Sequence, residues 1–333
     1  MRILYLSCHS ILEYDEIKLF TELGHEVFSV RGSYGNPTSP GDPKRPAIAA
    51  SFYEHLSSIA LQCSKENLHE ELIAWADCII VMHEANWILQ NWMKMKHKPV
   101  IWRSIGQSVP EIENRLAMCQ AMGMKIVRYS PLEATIPGYL GADAMIRFYK
   151  DEQEFGNWNG SKAAVLTVGQ SMQQRGRWCG YQIFDEVTTD VPRILFGPGN
   201  ETAPMGGGVL SYEELKQAYR DYRVYFYTGT YPASYTLNFI EAFMSGIPIV
   251  AIGPQLADLG IFGFNAYEVH HLIDSGSNGF CSDRLPELRR QVEYLLTHPE
   301  EARRVGAAGR QTAISLFGKE SIKSQWQDFL STL

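Results

Sequence analysis

Short, almost continuous runs of apolar residues alternate with helix-like stretches through the first half of the chain. Runs of this kind, rich in valine and isoleucine, are typical of parallel strands that are buried on both faces of a sheet. Parallel neighbours need a crossover connection, usually a helix, and helix-like segments lie between the runs. The first half therefore predicts βαβ units in one parallel sheet. The predicted strands are RILYLS (Arg2–Ser7), GHEVFSV (Gly24–Val30), DCIIVM (Asp77–Met82), KPVIWRS (Lys98–Ser104) and KIVRYS (Lys125–Ser130).

The same alternation starts again after a polar segment rich in Gly and Asn, KDEQEFGNWNGSK (Lys150–Lys162), which we interpret as a linker. We therefore predict two α/β domains, at residues 1–155 and 156–333. Within the first, the segment 31–50 holds several Pro and Gly residues and predicts an irregular loop. The strands predicted in the second domain are AAVLTVG (Ala163–Gly169), PRILFGPG (Pro192–Gly199), VYFYTG (Val224–Gly229) and PIVAIG (Pro248–Gly253).

Composition and charge exclude several classes of protein. The chain is 45% hydrophobic and 20% charged, and its formal net charge is −7. This balance favours a soluble globular protein and argues against general binding to nucleic acid or anionic membranes. The six cysteines form no CxxC pair, and no apolar run reaches the roughly 18 residues of a membrane span. These features predict a cytoplasmic protein with reduced thiols, and they leave peripheral membrane attachment open.

The stretch IEAFMSGIPIV places a carboxylate, Glu241, among apolar neighbours. An unpaired charge would be costly there, so a ligand or a nearby Lys or Arg must satisfy it. A helix that begins near Ser234–Thr236 would offer free backbone N–H groups to an anion, with Glu241 about two turns in. A carboxylate in that place accepts two hydroxyl hydrogen bonds, as a ribose diol offers. This segment alone favours neither interpretation.

Two Gly-containing loops follow predicted strands in the same domain. In TVGQSMQQRGRWCGY, a strand ends at Gly169, and Arg175 and Arg177 follow. Guanidinium groups at a strand end suit a diphosphate, although this segment on its own favours a solvated basic loop. In GPGNETAPMGGG, Gly197 and Gly199 would let the backbone approach a flat ligand, and a mobile surface loop fits as well. The sequence contains no P-loop, GxSxG or HExxH motif.

Taken in order, the second-half segments resemble one family. The order is a G-x6-G turn with a cation, a Gly-rich turn, EEL…YR, IEAFMSGIPIVA, EVHHLIDSGSNGF and HPEEARRVGAAGRQTAISLF. This order is similar to the donor-binding domain of family-4-like glycosyltransferases, and GHEV is similar to their N-terminal domain. The resemblance covers 163–333 and implies the GT-B fold, with two Rossmann-like domains facing each other across a cleft. It allows the last helix to pack back on the N-terminal domain.

The resemblance also implies roles for individual residues. It implies that Glu241 binds the nucleotide ribose, that Arg175 replaces the lysine on the diphosphate, and that Gly169 ends the first strand. It extends the donor-binding set to a further group, namely Gln170, Arg177, Gly197, Gly199, Ser234, Tyr235, Thr236 and Leu237. Two positions depart from the family pattern, because Ala233 stands where its first glutamate falls and Gln170 where its arginine falls. On this alignment Arg175 is the catalytic cation, and loss of Arg177 should matter less.

The N-terminal domain is expected to hold the acceptor. Its predicted strand ends offer His83 in VMHEANW and Arg103 in IWRSIGQ as further catalytic candidates, and His9 with Glu13 in CHSILEYDE. A lone His at a strand end is more often a structural hydrogen-bonding group than a catalytic one. The aromatic residues Trp87, Trp92 and Trp102 are interpreted as core, with a sugar-stacking surface as the weaker alternative.

The function that these features predict is glycosyl transfer from a nucleotide-diphosphate sugar to a hydroxyl group. By resemblance the reaction retains anomeric configuration and needs no metal ion, and the nucleotide sugar is a co-substrate, so no cofactor is expected. The acceptor stays open between a glycan, a lipid-linked sugar, a small molecule and a modified nucleic acid. Two alternatives remain, since the same fold serves sugar-nucleotide epimerases and Ala233 and Gln170 also fit a non-catalytic sugar-nucleotide-binding subunit.

Overall fold

The structure is a computed structural model that describes residues 1–30, 54–106 and 108–333. The irregular loop predicted at 31–50 lies outside these residues. Contacts divide the described chain into two compact units, Met1–Phe148 with Ile322–Leu333, and Tyr149–Ser321. The domain boundary predicted from the sequence, between 155 and 156, lies a few residues later than this division.

The first unit is built on a six-stranded sheet in its described part, with the order β2-β1-β3-β4-β5-β6 and every neighbouring pair parallel. The CIIVM run of β3 is buried at every position, as a central strand covered on both faces requires. The strands are β1 (Arg2–Leu6), β2 (Glu26–Ser29), β3 (Cys78–Met82), β4 (Val100–Arg103), β5 (Lys125–Arg128) and β6 (Ala144–Met145).

Helices connect these strands and carry the apolar core of the unit. Trp87, Trp92 and Trp102 are at most 5% exposed, which confirms that the aromatic residues belong to the core. The third helix begins at Glu70, after a tight turn in which Ser64 and Asn67 pair, and the His69 side chain caps it. The helices are α1 (Ser10–Glu22), α2 (Glu54–Ala60), α3 (Glu70–Trp75), α4 (Ala85–Met95) and α5 (Pro110–Ala121).

The second unit also has a parallel sheet, which in its described residues has six strands in the order β12-β11-β10-β7-β8-β9. From β7 the chain first runs to β8 on one side and later returns to β10 on the other, so β7 and β10 flank the topological switch point. The strands are β7 (Lys162–Val168), β8 (Arg193–Phe196), β9 (Gly206–Gly208), β10 (Tyr222–Tyr227), β11 (Ile249–Ile252) and β12 (Phe280–Ser282).

Helices cover this second sheet, and α9 holds Glu241. The helices of the unit are α6 (Met172–Arg175), α7 (Tyr181–Thr188), α8 (Tyr212–Asp221), α9 (Leu237–Ser245), α10 (Pro254–Ala257), α11 (Val269–Leu272), α12 (Leu285–Thr297) and α13 (Pro299–Phe317). The last helix, α14 (Lys319–Leu330), contributes its residues from Ile322 onward to the first unit. No helix in the described ranges is long and apolar enough to cross a membrane.

The segment from α9 to β11 packs against α13 with almost no side chain between them. A Cβ atom on Gly306 would lie 2.0 Å from the carbonyl oxygen of Gly246, the C-cap of α9, and one on Gly309 would lie 2.8 Å from the Phe243 ring. Neither position tolerates a larger residue without a shift of its neighbours. The glycines of VGAAGRQ therefore allow close packing of this helix.

Candidate functional site

Most of the predicted donor-binding residues lie at one edge of the second sheet. Parallel strands present their carboxyl ends at a common edge, and a ligand crevice forms there at the switch point. The loops after β7, β8 and β10 carry, in turn, Gly169 to Arg177, Gly197 to Gly199, and Ser234 to Leu237. The structure therefore brings these three segments to the same edge.

The loops after β7 and β8 are joined by one buried amide, that of Asn200. Its Nδ2 donates to the carbonyl oxygens of Gly169 at 2.6 Å and Gly197 at 3.0 Å, and its Oδ1 accepts from the Met172 amide at 2.8 Å. The Asn200 side chain is fully buried, so water could not take the place of these hydrogen bonds if they were lost. Asn200 therefore fixes the turn that follows β7.

The glycines of the second loop are needed for contact between the two loops. Gly197 has a φ of +125°, and a Cβ there would lie 2.1 Å from the carbonyl oxygen of Gly169. Gly199 has a φ of +78°, and its Cβ would lie 2.2 Å from the Ser171 Oγ. A backbone contact with Gly169 thus accounts for Gly197, whereas a positive φ close to the Ser171 side chain accounts for Gly199. A role of either glycine in contacting a base stays a prediction.

The two arginines of the β7 loop have different surroundings. Arg175 ends α6, and its Nη1 lies 3.4 Å from the carbonyl oxygen of Gln170 in the same loop. Arg177 lies in the 3₁₀ turn Gly176–Cys179, which the Thr228 hydroxyl anchors by donating to the Cys179 carbonyl at 2.6 Å. Arg177 lines a pocket that Arg175 does not line.

This pocket lies beside the carboxyl ends of β10 and β11 and is open to solvent. Arg177 is the only charged side chain among its lining residues, all of which belong to the described part of the chain. Hydroxyl and amide groups from Thr228, Thr230, Tyr231 and Asn265 supply hydrogen-bonding capacity. The other lining residues are Trp178, Gly180, Pro232, Ala233, Ile252, Leu256, Ala257, Ala266 and Tyr267.

Aromatic rings hold one side of the pocket in place. Tyr231 lies parallel to Phe262 at a centroid distance of 5.6 Å, and its hydroxyl accepts from the amides of Ile261 and Phe262 at 3.2 and 3.0 Å. The Tyr231 amide donates to the Trp178 carbonyl at 2.9 Å, and the two rings are 5.8 Å apart. These contacts connect the loop after β10 both to the Arg177 turn and to the segment after β11.

Helix α9 begins at Leu237, with Thr236 as its N-cap, close to the predicted start. The first turn of a helix leaves backbone N–H groups without intrahelical partners and carries a partial positive charge. The Tyr227 hydroxyl accepts from the Thr236 backbone amide at 3.1 Å, and the side-chain Nδ2 of Asn238 donates to the Val168 carbonyl. Ser234 and Tyr235, just upstream, are buried. The helix start is thus attached to the ends of β7 and β10.

Glu241 lies in the second turn of α9 and is 4% exposed. Its Oε1 is 2.9 Å from the Nζ of Lys150, and its Oε2 accepts from the Tyr219 hydroxyl at 3.3 Å. Of the two interpretations that the sequence left open, the ion pair with a lysine is present in the folded chain. A ribose contact by the same carboxylate stays a prediction.

In the first unit, Arg103 is enclosed by protein. Its side chain is fully buried, with Nε donating to Glu16 at 2.8 Å and Nη1 to the Ile146 carbonyl at 2.6 Å. Its Nη2 donates to the Arg147 carbonyl, and the guanidinium carbon lies 4.7 Å from the centre of the Phe148 ring. Because these groups surround the guanidinium, Arg103 has no role in the proposed mechanism.

His83 lies directly after β3 with a φ of +56°, which is uncommon for a residue other than glycine. Its amide donates to the Arg103 carbonyl at 3.1 Å, and its half-buried ring lies 5.7 Å from that of Trp102. His83 stays a candidate on the acceptor side. His9 caps α1 by accepting from the Leu12 amide, which is a structural role.

Glu13 is a buried acid near the carboxyl ends of β1 and β2. It lies in the first turn of α1, is 4% exposed, and accepts a hydrogen bond from the Ser29 hydroxyl. Burial raises the pKa of Glu13 to about 7, although hydrogen bonds from Ser29 and Ser7 oppose the shift. This carboxyl group therefore titrates near neutral pH.

Sequence reasoning missed Asn200, Lys150 and the hydrogen bonds that Tyr227 and Asn238 each make at the start of α9. Asn200 directly follows GPG and is a polar residue next to two glycines, so it could have been singled out. Nothing in the sequence around Lys150 indicates its partner. Within the described ranges, no cluster of three or more His, Cys, Asp or Glu side chains could hold a metal ion.

Comparisons with known proteins place these features in a family context. A family profile described as "Glycosyl transferase-like" matches residues 181–318. No curated protein sequence matches the chain. Among solved structures, HepE of Anabaena in complex with UDP-glucose is similar with a TM-score of 0.70 and 14% identity, over 100% of both chains.

Two further structures are similar along nearly the whole chain. Sucrose-phosphate synthase from Thermosynechococcus elongatus has a TM-score of 0.69 and 15% identity, over 100% of this chain and 98% of its own. A glycosyltransferase from Rickettsia africae has a TM-score of 0.69 and 13% identity, over 98% of this chain and 97% of its own. The fold predicted from the motifs is confirmed, because the chain shares the two-domain GT-B fold of these solved structures. The predicted resemblance agrees with the glycosyl transferase-like profile that residues 181–318 match.

Proposed function

We propose that the protein transfers a glycosyl group from a nucleotide-diphosphate sugar to an acceptor hydroxyl, with the donor bound at the carboxyl edge of the second sheet. The observation that carries this proposal is that Arg177 and its pocket lie at the same edge of the sheet as the start of α9. A cation and a helix N-terminus suit a diphosphate, and a pocket lined with hydroxyl and amide groups suits a sugar. The complexes of Anabaena HepE with UDP and with UDP-glucose give the proposal a precedent.

In this proposal Arg177 is the cation at the leaving group, and Arg175 is not. The diphosphate gains charge as the glycosidic bond breaks, so a fixed positive group stabilises the transition state more than the ground state. Arg177 lines the pocket, whereas the guanidinium of Arg175 is directed to a carbonyl of its own loop. The sequence alignment favoured Arg175, and the geometry is the reason for our different assignment.

The proposed reaction retains the anomeric configuration and uses neither a metal ion nor a cofactor. Arg177 and the backbone amides at the start of α9 supply the positive charge that Mg²⁺ or Mn²⁺ would otherwise supply. The acceptor is proposed to bind to the first unit, where His83 is the remaining candidate for contact with it. A glycan, a lipid-linked sugar, a small molecule or a modified nucleic acid would each present a suitable hydroxyl group.

A donor screen tests the proposal. The protein is first screened by thermal shift against UDP-, GDP-, ADP- and CMP-sugars, because a ligand that binds the folded state raises the melting temperature. Donors that bind are then incubated with the protein, and the products are separated by mass spectrometry and chromatography. Release of the nucleoside diphosphate by transfer or slow hydrolysis supports the proposal. A changed sugar on an intact nucleotide would indicate an epimerase, binding alone a non-catalytic subunit, and both would contradict it.

A further inference from the structure

The Lys150–Glu241 ion pair is buried inside the second unit. The side chains of Lys150 and Glu241 are 2% and 6% exposed, and their charged atoms are 2.9 Å apart. Burial of two charges has a large desolvation cost, and apolar residues of similar volume often give equal or greater stability. The pair is therefore weak evidence for stability alone, and its location on the helix of the donor edge suggests a functional reason.

Lys150 approaches Glu241 from a segment that is itself held firmly. The Lys150 amide donates to the Phe317 carbonyl at 3.0 Å, and Lys150 forms a parallel β-bridge with Gly318. The next residue, Asp151, forms an ion pair with Lys319 at 3.3 Å. The backbone at Lys150 is thus held in place by contacts of Lys150 itself and of the residue that follows it.

The other oxygen of the Glu241 carboxylate has a second fixed donor. The Tyr219 hydroxyl donates to it at 3.3 Å, and burial together with the charge of Glu241 raises the pKa of Tyr219 well above its ordinary value. The phenol therefore keeps its proton and remains a donor. Each carboxylate oxygen thus has one protein donor, while an ionised carboxylate offers about four acceptor sites. Capacity for two further hydrogen bonds remains, which is the number that a ribose diol supplies.

We propose that Lys150 is a positioning residue that holds the Glu241 carboxylate in the orientation that accepts the 2′- and 3′-hydroxyl groups of the donor ribose. It thereby determines the preference for ribonucleotides over 2′-deoxyribonucleotides. This inference rests on the proposed function, since it needs a nucleotide at the donor edge. Without the ammonium group, the buried carboxylate would have no counter-charge and would turn away from this orientation.

The test is the affinity ratio between ribo- and 2′-deoxyribonucleoside diphosphates. Isothermal titration calorimetry with UDP, GDP, ADP and CDP, each paired with its 2′-deoxy form, gives the ratio for the wild type. We expect the best-bound ribonucleotide to bind roughly ten-fold or more tightly than its deoxy form, as for loss of a hydrogen bond to a charged group. Lys150→Met should bring the ratio close to one, and Lys150→Arg, which keeps the charge, should preserve it.

Lys319→Met is the matched control, because it breaks the neighbouring ion pair with Asp151 in the same segment. It should lower the melting temperature and leave the ratio at the wild-type value. If Lys150→Met destabilises the protein yet also keeps the wild-type ratio, Lys150 is only structural and the inference is overturned. Should Lys150→Met fail to fold, Lys150→Gln removes the charge and keeps a polar side chain of similar length. A ratio near one in Lys150→Gln supports the inference, and an unchanged ratio overturns it.

The same titrations separate this inference from the function on which it rests. If the wild type binds none of the four ribonucleotides, the proposed function fails and the inference fails with it. If the wild type binds one of them equally well in its ribo and deoxy forms, donor binding stands and only the role of Lys150 and Glu241 is overturned.

Discussion

The side-chain amide of Asn200 donates to the carbonyl oxygen of Gly169 at 2.6 Å, and thereby joins the loop after β8 to the loop that carries Arg177. Both amide atoms are used, since Oδ1 accepts from the Met172 amide. The position of the β7 loop therefore depends on a residue outside it.

Asn200→Ala is expected to lower the free energy of unfolding by about 1–3 kcal/mol, because it leaves buried backbone groups without partners. It should also weaken binding of the nucleoside diphosphate, since the β7 loop loses its anchor. Urea denaturation and calorimetry measure the two effects. Asn200→Asp is the close comparison, because it keeps the acceptor for Met172 but replaces the donor with an oxygen that repels the two carbonyls. If either variant matches the wild type in both measurements, the anchoring role is wrong.

Arg177→Ala is expected to lower kcat by roughly 10²-fold or more, as for loss of one preorganised group at a developing oxyanion. Arg175→Ala should have a smaller effect, because Arg175 lies outside the pocket lining. Steady-state kinetics with the donor found in the screen provide the comparison. The reverse order of effects would restore the assignment that the sequence alignment favoured, with Arg175 as the catalytic cation.

Gly197→Ala is expected to lower the free energy of unfolding by more than the cost of placing alanine in a backbone conformation with positive φ. Its new Cβ would meet the Gly169 carbonyl oxygen at 2.1 Å, whereas a Cβ on Gly123, which has a similar φ of +103°, would meet nothing within 4 Å. Gly123→Ala should therefore show only the conformational cost, about 1–2 kcal/mol. Thermal and urea unfolding of both variants test the difference, and equal losses of stability would show that the contact with Gly169 is unimportant.

Glu13 is expected to make stability depend on pH between about 4.5 and 7. Its pKa in the folded state is about 7, raised from the ordinary 4.5 by burial, so the folded chain holds this proton more tightly than the unfolded chain. The contribution to stability is fully present below pH 4.5 and is lost as the pH rises through 7.

Glu13→Gln removes this contribution to the pH dependence. The stability difference between wild type and variant should change by up to about 3 kcal/mol between pH 4.5 and 8, in favour of the variant at the higher pH. Urea denaturation across this range measures it. Parallel stability curves for the two proteins would mean that the Glu13 carboxyl group does not titrate with a raised pKa.

Treatment with EDTA is expected to leave glycosyl transfer at its full rate. In the proposed site the positive charge at the diphosphate comes from Arg177 and the start of α9, so no divalent cation is required. The initial rate is compared before and after dialysis against EDTA, with the arginine variants as low-activity references. Loss of activity that Mn²⁺ restores would contradict this part of the mechanism.

Much of the fold can be predicted from the sequence, because buried parallel strands are continuous apolar runs. The CIIVM run and the PIVAIG run match β3 and β11 to within a residue or two. The strands that were missed have two or three residues, and β9 is Gly206–Gly208, which has no side-chain pattern to read. Pairing with β8 forms this strand, and such pairing is a property of the tertiary structure.

The candidate site was predictable as a set of loops but not as a set of contacts. Motif order located Glu241 and the β7 loop, since these depend on residue types at fixed spacing. Spacing cannot show which of two arginines in one turn faces a pocket, because the direction of each side chain depends on the backbone conformation of the turn. It also cannot show that Lys150, far away in the sequence, supplies the counter-charge of Glu241.

In the proposed donor site, the close approach of Gly306 to the carbonyl of Gly246 is expected to limit the range of donors. Side chains between two helices can change rotamer and yield to pressure, whereas backbone against backbone cannot. Helix α9 therefore cannot retreat from a bulkier donor, and its start acts as a fixed wall of the site. Accommodation of a larger sugar would have to come from the opposite side, where Tyr231, Phe262 and Trp178 meet through ring contacts that can slide. Directed evolution toward larger donors should accordingly accumulate substitutions in those loops and leave the glycines of α13 unchanged.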